Sequence, residues 1–562
     1  MTDPKSGASS LFVQAPPQLA NQYEADRFLR AWLRRKLPAD VLSDIEPDVR
    51  QMGEISAGEL YERQLNDRLR EPQLTQWDAW GNRVDRIELT PLWKRCAEIA
   101  AQRGLIAIPY ESGHGRYSRI HQFALVYLFH PSSDVYTCPL AMTDGAARTL
   151  KGAGNTALIA RALPHLTARD PREFWTSGQW MTEATGGSDV GRSRTRAVRE
   201  DERWRLYGKK WFTSAITSQM ALTLARPEGN GPGGSGLAMF YVETHNDAGL
   251  PNHLRIERLK DKLGTRKVPT AELLLEGSWA ELVCDTRNGT RHIEPMLVVT
   301  RTWNAVTSVA FMRRAVELAK SYARQREAFG SPLSEQPLHV DTLASLEAET
   351  RGAFLMAFEL VEMLGRHEHG ELDDEGRALL RLLTPLAKLF TAKQAVAVVS
   401  EAIEAFGGAG YVEDTGLPVL LRDTQVLPIW EGTTNVLSLD ALLRGDLKSA
   451  LAALEARFER CVSGVSHSEL VPLARRSLDA LLSVQRWLAA HSAAPELQAG
   501  ARRVALTLGR AWQLMLIVEQ AQWQLDHDKD HTSLIAAKRF ALPPIDVLAS
   551  SELDDSRALL GC

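Results

Sequence analysis

The stretch "WMTEATGGSDVG", Trp180–Gly191, decides how the chain is read. Two threonines, three glycines, a serine and two acids crowd around one Thr-Glu pair. Such a span presents hydroxyls and backbone amides together, and its glycines let a ligand approach the backbone closely. It also marks a change of texture. From about 175 to 295 the apolar segments are short and alternating, as in "RWRLYGKKWFTS", "MALTLARP", "GLAMFYVET" and "AELLLEG". Turn residues separate them, which predicts a β domain.

On either side the periodicity is helical. From about 40 to 170, "LWKRCAEIAAQRGLIAI" and "IHQFALVYLFH" repeat apolar residues at helical spacing. After Arg301, "AFMRRAVELAKSYARQ", "HVDTLASLEAETRGAFLMAFELVEML" and "ALLRLLTPLAKLFTAKQAVAVVSEAIEAFG" predict long helices in a bundle. Pro16, Pro17, Asn21 and Pro38 mark residues 1–40 as an extended arm. The expected division is an arm (1–40), an N-terminal helical domain (41–175), a β domain (176–295), a helical bundle (296–445) and a C-terminal helical extension (446–562), an α+β chain without internal repeats.

The chain has 562 residues, enough for three or four units at roughly 150 residues each. Its formal net charge of −4 supplies no overall basic field for nucleic acid or anionic membrane. Cys96, Cys138, Cys284, Cys461 and Cys562 are scattered and odd in number, as expected for reduced thiols rather than a disulfide framework. The N-terminus lacks a secretory pattern. No apolar run is read as membrane-spanning; "LLSVQRWLAA" is broken by Gln485 and Arg486. A cytoplasmic protein without membrane insertion is the expectation.

Several motifs invite a functional reading. "GPGGSG", 231–236, has the spacing of a dinucleotide loop, but the following "LAMFYVE" reads as a strand where a helix is required, so it is a hairpin loop. "HDKDH" sets His527 and His531 one helical turn apart with no third distant ligand, and no metal is expected there. "FGGAGYVEDTGLPVLLRDTQVLPIWEGTTNV", Phe406–Val436, carries more. Glu431 lies between Trp430 and Gly432, where partial desolvation would make it a stronger base. The alternative is a helix-capping segment with Thr433 or Thr434 as the cap. "RQREAFG", 324–330, offers Arg326 to a phosphate or merely to a helix C-terminus. "GKKWFTS", 208–214, sets two aromatics and hydroxyls on a strand, for a ligand or for sheet packing.

Taken in order, Thr182–Asp189, Gly208–Thr213, Tyr322–Gly330 and Phe406–Thr433 resemble the acyl-CoA dehydrogenase family. "MTEATGGSDV", "RIERLKDKLGTR", "FGSPLSEQPL" and the C-terminal extension resemble its AidB-like branch. The resemblance spans about residues 60–445. It implies an N-terminal helical domain, a central β-barrel and a C-terminal four-helix bundle, with FAD as cofactor. Met181, Thr182, Gly187 and Ser188 would line the flavin. Trp211 and Phe212 would lie beside its ring, and Thr213 would bond near its reactive nitrogen. Arg326, Phe329, Gly407 and Gly408 would serve the flavin of a neighbouring subunit. Thr433 and Asn435 would meet the adenylate half, Trp430 and Gly432 would belong to the same cofactor site, and Glu431 would be the base. Glu404 stands where the family often has Gln. An acyl-CoA substrate, a homotetramer and an electron-transfer flavoprotein as acceptor are implied as well. The branch's best-known bacterial member is associated with DNA binding and the alkylation-damage response. A weakly DNA-binding flavoprotein with little turnover is therefore the alternative function, and Arg475–Arg476, Arg502–Arg503 and Lys538–Arg539 would be its cations.

Overall fold

A computed structural model describes residues 14–246, 248–491, 494–549 and 553–561. Residues 1–13 of the expected arm and Cys562 lie outside them. The rest of the arm corrects the expectation. Asp26 caps a helix, α1 (Arg27–Lys36), by accepting from the Phe28 and Leu29 amides. Phe28, Leu29, Trp32 and Leu33 then fall on one face and are buried. The prolines flank this helix and do not break it.

α2 (Ala39–Ile55) continues into a π-turn, Ser56–Leu60, and a short helix, Tyr61–Asn66. An antiparallel hairpin, β1 (Gln73–Trp77) and β2 (Arg83–Glu88), interrupts the N-terminal helices. Its alternation is short and polar, and the expected all-helical reading passed over it. α3 (Pro91–Gln102), α4 (Ser118–Phe129), α5 (Thr137–Ala153) and α6 (Thr156–Leu166) complete this part. α4 is buried almost all round, as its continuous apolar run requires.

The central strands are β3 (Ser177–Trp180), β4 (Arg196–Glu200), β5 (Arg203–Ser214), β6 (Met220–Pro227), β7 (Ala238–Glu243), β8 (Leu254–Leu259) and β9 (Thr270–Leu282). Pairings β6–β4, β4–β5, β5–β9, β9–β7 and β7–β6 close a ring, so the sheet is a barrel. β3 adds to β6 in parallel and β8 adds to β9.

Three long helices form the bundle: α7 (Glu294–Gln325), α8 (Pro337–Glu368) and α9 (Asp374–Glu404). At about 1.5 Å per residue each is close to 48 Å long. α10 (Leu417–Thr424) and α11 (Thr434–Leu443) close it. The extension consists of α12 (Leu447–Gly464), α13 (Val471–Ala490), α14 (Ala494–His527), α15 (Thr532–Phe540) and α16 (Leu553–Leu560), with α14 packed on α8 and α11. Among the described residues α9 alone is long and apolar enough to cross a membrane, which corrects the reading that no such run exists; 83% of its apolar window is buried within the protein.

Barrel and bundle meet at the loop before β9. The Thr265 amide donates to Asp423 Oδ1 at 2.6 Å. A side chain on Gly264 would collide with the Arg422 carbonyl, so only glycine permits this approach.

Candidate functional site

The loop between α10 and α11 turns sharply. The Ile429 and Trp430 amides both donate to the Val426 carbonyl. Glu431 then adopts φ +56° and Gly432 φ +108°. A non-glycine residue in the left-handed region costs about 1–3 kcal/mol and persists only where its surroundings impose it. Here two cations from two bundle helices hold the carbonyls. Arg301 Nε donates to the Glu431 carbonyl at 3.3 Å, and Lys388 Nζ to the Gly432 carbonyl at 2.7 Å. Arg301 is itself fixed by Asp440 at 2.8 Å, whose other oxygen accepts from Arg381 at 2.9 Å. Burial pushes the Asp440 carboxyl up, but the two arginines outweigh it and hold it below the usual range.

The Glu431 carboxylate accepts from Thr300 Oγ1 at 2.8 Å. Lys388 is buried, and burial lowers its ammonium to about 7 against the pull of Glu431; Arg301 pushes the same way as burial. Among the described residues the Glu431 N–H donates to no other group. The loop therefore presents a half-buried carboxylate and an available amide side by side. Trp430 is half-buried with an unpartnered Nε1. Thr433 sits at the N-cap of α11 without making a capping bond, so the capping alternative gains no support from its side chain. Asn435 Oδ1 accepts from Arg502 at 3.3 Å.

The barrel brings the opening stretch to the same end of the bundle. Buried Met181 shares an apolar cluster with Met296, one turn before Thr300 on α7. The Thr182 carbonyl accepts from the Trp211 amide at 2.9 Å. Trp211 and Phe212 lie in a β-bulge between the pairs Lys210–Leu273 and Thr213–Ala271. The bulge breaks strand alternation, so Lys210 and Thr213 both point inward while Phe212 stays 49% exposed. Lys260 Nζ lies 3.4 Å from the Trp211 ring centroid. A Cβ on Gly187 would stand 2.7 Å from Thr182 Oγ1, and Gly187 and Ser188 are exposed. Thr213 departs from expectation: it is fully buried and its hydroxyl donates to the Ala271 carbonyl at 2.7 Å. Its hydroxyl hydrogen is spent inside the barrel, which leaves its backbone or a lone pair to contact a ligand.

Arg326, Phe329, Gly407 and Gly408 form a second group. Arg326 ends α7, about 25 residues and 38 Å from Arg301. Phe329 is wholly exposed at φ +53° on a tight hairpin. The Tyr322 and Phe406 rings lie tilted against each other with centroids 4.7 Å apart, which places Gly407 and Gly408 at the same far end. Gly407 has φ +59°, and neither glycine has a neighbour where a Cβ would be.

Sequence reading missed Thr300, Arg301, Lys388 and Lys260. Three had a signal, being polar residues inside the apolar helical runs "LVVTRTWNAV" and "LTPLAKLFTA". It also missed the work of Glu183, which is buried and accepts from Lys210 Nζ at 2.9 Å, Thr195 Oγ1 at 2.6 Å and the Arg194 amide at 2.6 Å. Burial raises its carboxyl, but these partners bring it below the usual range. Glu183 is thus an internal strut that fixes the Thr182 loop to the barrel.

Four family descriptions match successive parts of the chain. Residues 14–171 match the adaptive response protein AidB N-terminal domain, and 178–278 the acyl-CoA dehydrogenase middle domain. Residues 287–444 match the acyl-CoA dehydrogenase C-terminal domain, and 449–558 the acyl-CoA dehydrogenase 11 C-terminal domain-like family. The chain is 42% identical to acyl-CoA dehydrogenase family member 11 of Caenorhabditis elegans, over 91% of this chain and 86% of that one. It is 34% identical to the putative acyl-CoA dehydrogenase AidB of Escherichia coli, over 66% and 68% respectively. The crystal structure of C. elegans ACDH-11 in complex with C11-CoA superposes with a TM-score of 0.94 at 39% identity, covering 100% of this chain and 98% of that one.

Proposed function

The chain belongs to the acyl-CoA dehydrogenase family, in its AidB-like branch, and on that premise we propose that it is an FAD-dependent dehydrogenase of a fatty acyl-CoA thioester with Glu431 as the base. The observation that carries this reading is the Glu431 loop, where carboxylate and backbone amide are presented together on a strained turn held by Arg301 and Lys388. The C11-CoA in the crystal structure of the nematode relative supports a fatty acyl thioester as the substrate class.

The chain's own residues fit the cofactor. Trp211 and Phe212 offer an aromatic edge on the bulge, and Thr182 and Ser188 bring hydroxyls beside open glycine backbone. The unpartnered Trp430 Nε1 offers a donor. When bound, FAD supplies the acceptor for the β-hydride. Glu431 takes the α-proton, while Thr300 fixes the orientation of its carboxylate. The Glu431 N–H stabilises charge developing on the thioester oxygen. Met181, Met296 and Trp430 help to exclude water from the reacting carbons.

Arg326 follows α7 about 25 residues beyond Arg301, and Phe329, Gly407 and Gly408 lie at that same end. We assign them to the flavin of a second subunit in a homo-oligomer, a tetramer being the expected form. Exposed Phe329, Leu338 and Tyr411 at that end support a covering copy. The electron acceptor expected is an electron-transfer flavoprotein. The DNA-binding alternative has less support. Arg476 donates to the Ala541 carbonyl, Lys538 pairs with Glu469, and Arg539 pairs with Asp341 at 2.8 Å. These three cations are tied to groups of the extension and of α8.

Anaerobic stopped-flow mixing with a series of acyl-CoAs tests the proposal. Wild type should bleach its flavin with at least one chain length. Glu431→Gln should keep FAD and lose about 10²–10⁴ in rate. Equal rates remove Glu431 as base; no reduction by any acyl-CoA in wild type overturns the dehydrogenase reading.

A further inference from the structure

Among the described residues three arginines are buried, and two of them are paired with carboxylates. Arg119 pairs with Asp144 and Glu368, both at 2.7 Å. Arg313 pairs with Glu347 at 2.7 Å, Glu317 at 3.3 Å and Asp26 at 3.4 Å. Arg314, the next residue on α7, is 2% exposed, and no carboxylate among the described residues lies within 4.0 Å of it. Its surroundings are neutral. Nη2 donates to Ser132 Oγ at 2.9 Å and to Ser56 Oγ at 3.2 Å. Both serines send their own hydrogens elsewhere, Ser56 to the Leu128 carbonyl and Ser132 to the Ser56 carbonyl. The Tyr61 ring lies 5.1 Å away. Nε and Nη1 have no acceptor.

A second unsatisfied group stands beside it. His130 is 1% exposed and packs on Phe311, one turn from Arg314, with ring centroids 4.1 Å apart. Its Nδ1 lies 2.7 Å from Thr137 Oγ1, and its Nε2 has no partner. With Thr137 donating to Nδ1, Nε2 carries the ring hydrogen and becomes a third buried donor without an acceptor. Burial, and then Arg314, hold this imidazole down to about 3, so it is neutral at physiological pH. Arg314 stays protonated, since burial lowers it only to about 10. The wall on one side is the π-turn Ser56–Leu60, a helical irregularity that often accompanies functional sites.

We propose that Arg314 and His130, closed over by the Ser56–Leu60 π-turn, form a buried binding site for a small inorganic monoanion of chloride size. One fixed positive charge and three neighbouring buried N–H groups without acceptors match one negative charge. A dianion would bring surplus charge into an apolar interior, where an unpaired charge is strongly disfavoured. The site ties α7 to the π-turn and to the turn at His130–Ser132. Its occupancy would therefore stabilise the fold, and it is independent of the Glu431 chemistry.

The test uses the full-length, FAD-bound protein. Its thermal midpoint is measured against sodium chloride, bromide and nitrate, with sodium gluconate at matched ionic strength as reference. The expected result is a rise with halide or nitrate that saturates and is absent with gluconate. Arg314→Met, of similar length and uncharged, should abolish the anion-specific rise. No anion-specific rise in wild type overturns the proposal, as does an equal rise in Arg314→Met. If that variant does not fold, crystals of wild type in sodium bromide decide. An anomalous peak within hydrogen-bond distance of Arg314 supports the site, and its absence overturns it.

Discussion

The two ends of α7 are built on opposite plans. At its N-terminal end, Thr300 and Arg301 reach a carboxylate and a carbonyl of the Glu431 loop. Lys388 and Asp440 close the network within the chain. At its C-terminal end, Arg326 is followed by a wholly exposed Phe329, and Gly407 and Gly408 stand open beside it. The Glu431 loop at the first end is held by groups of one chain. On the proposed assignment the second end is covered by another copy, whose flavin it serves. If so, residues of one family pattern need not serve one site within one molecule.

The largest effect comes from mixing the two ends. Glu431→Gln alone and Arg326→Ala alone should both be poor catalysts at limiting FAD. Co-refolded in equal amounts, they should regain activity, because some interfaces combine an intact Glu431 with an intact Arg326. For random pairing in a two-fold dimer, roughly a quarter of all sites are wild type. Flavin reduction that stays at the level of the single variants breaks the comparison, since both ends would then belong to one chain's site.

Next is Lys388→Met, at the finished end. It removes the donor to the Gly432 carbonyl while keeping length and apolar volume. The left-handed turn should relax and misplace Glu431, lowering flavin reduction by about 10- to 100-fold. FAD content should not change. Loss of FAD together with rate would mean that Lys388 supports the cofactor site as a whole. At the open end Arg326→Ala should do the reverse. FAD affinity should fall by about 1.5–3 kcal/mol, the range for a hydrogen bond to a charged group, with the reduction rate of the remaining holoenzyme unchanged. Titration of apoprotein with FAD measures the first, and stopped-flow the second.

The domain order was legible because the period of the apolar residues changes sharply near 175 and 295. The barrel's closure was not, since it depends on β6 meeting both β4 and β7, and such pairing leaves no local trace. Helix α1 was hidden by the prolines around it, and the β1–β2 hairpin by its polar alternation. At the site, Glu431 could be singled out from Trp430 and Gly432 beside it. Arg301 and Lys388 stand out as polar residues in apolar runs, but what they hold could not be read, because each sits more than forty residues away from that loop. Thr213 could be singled out by its motif, but the direction of its side chain could not: a bulge two residues wide turns it into the barrel, and no motif records a bulge.

The smallest effect tests how the finished end is joined to the barrel. Asp423 is buried and accepts the Thr265 amide at 2.6 Å. Burial raises its carboxyl from 3.8 to about 7; the Thr265 amide opposes this, Asp134 adds to it, and Lys262 and Arg422 oppose it. A carboxyl raised in the folded state binds its proton more tightly there than in the unfolded chain. Stability should therefore be greatest below about pH 4 as far as this group is concerned, and be lost as pH rises from about 4 to about 7. Asp423→Asn keeps an acceptor for Thr265 and cannot ionise, so it should remove that slope. For a chain of 562 residues the unfolding entropy is about 1.2 kcal/mol per kelvin, so each kcal/mol moves the midpoint by only about 1 °C. At about 1.4 kcal/mol per pKa unit the variant should thus melt up to about 4 °C above wild type at pH 7.5, with the gap narrowing toward pH 5. Scanning calorimetry at both pH values measures it. A gap that widens toward pH 5 would show that Asp423 is held ionised in the seam, and that barrel and bundle are joined there by charge.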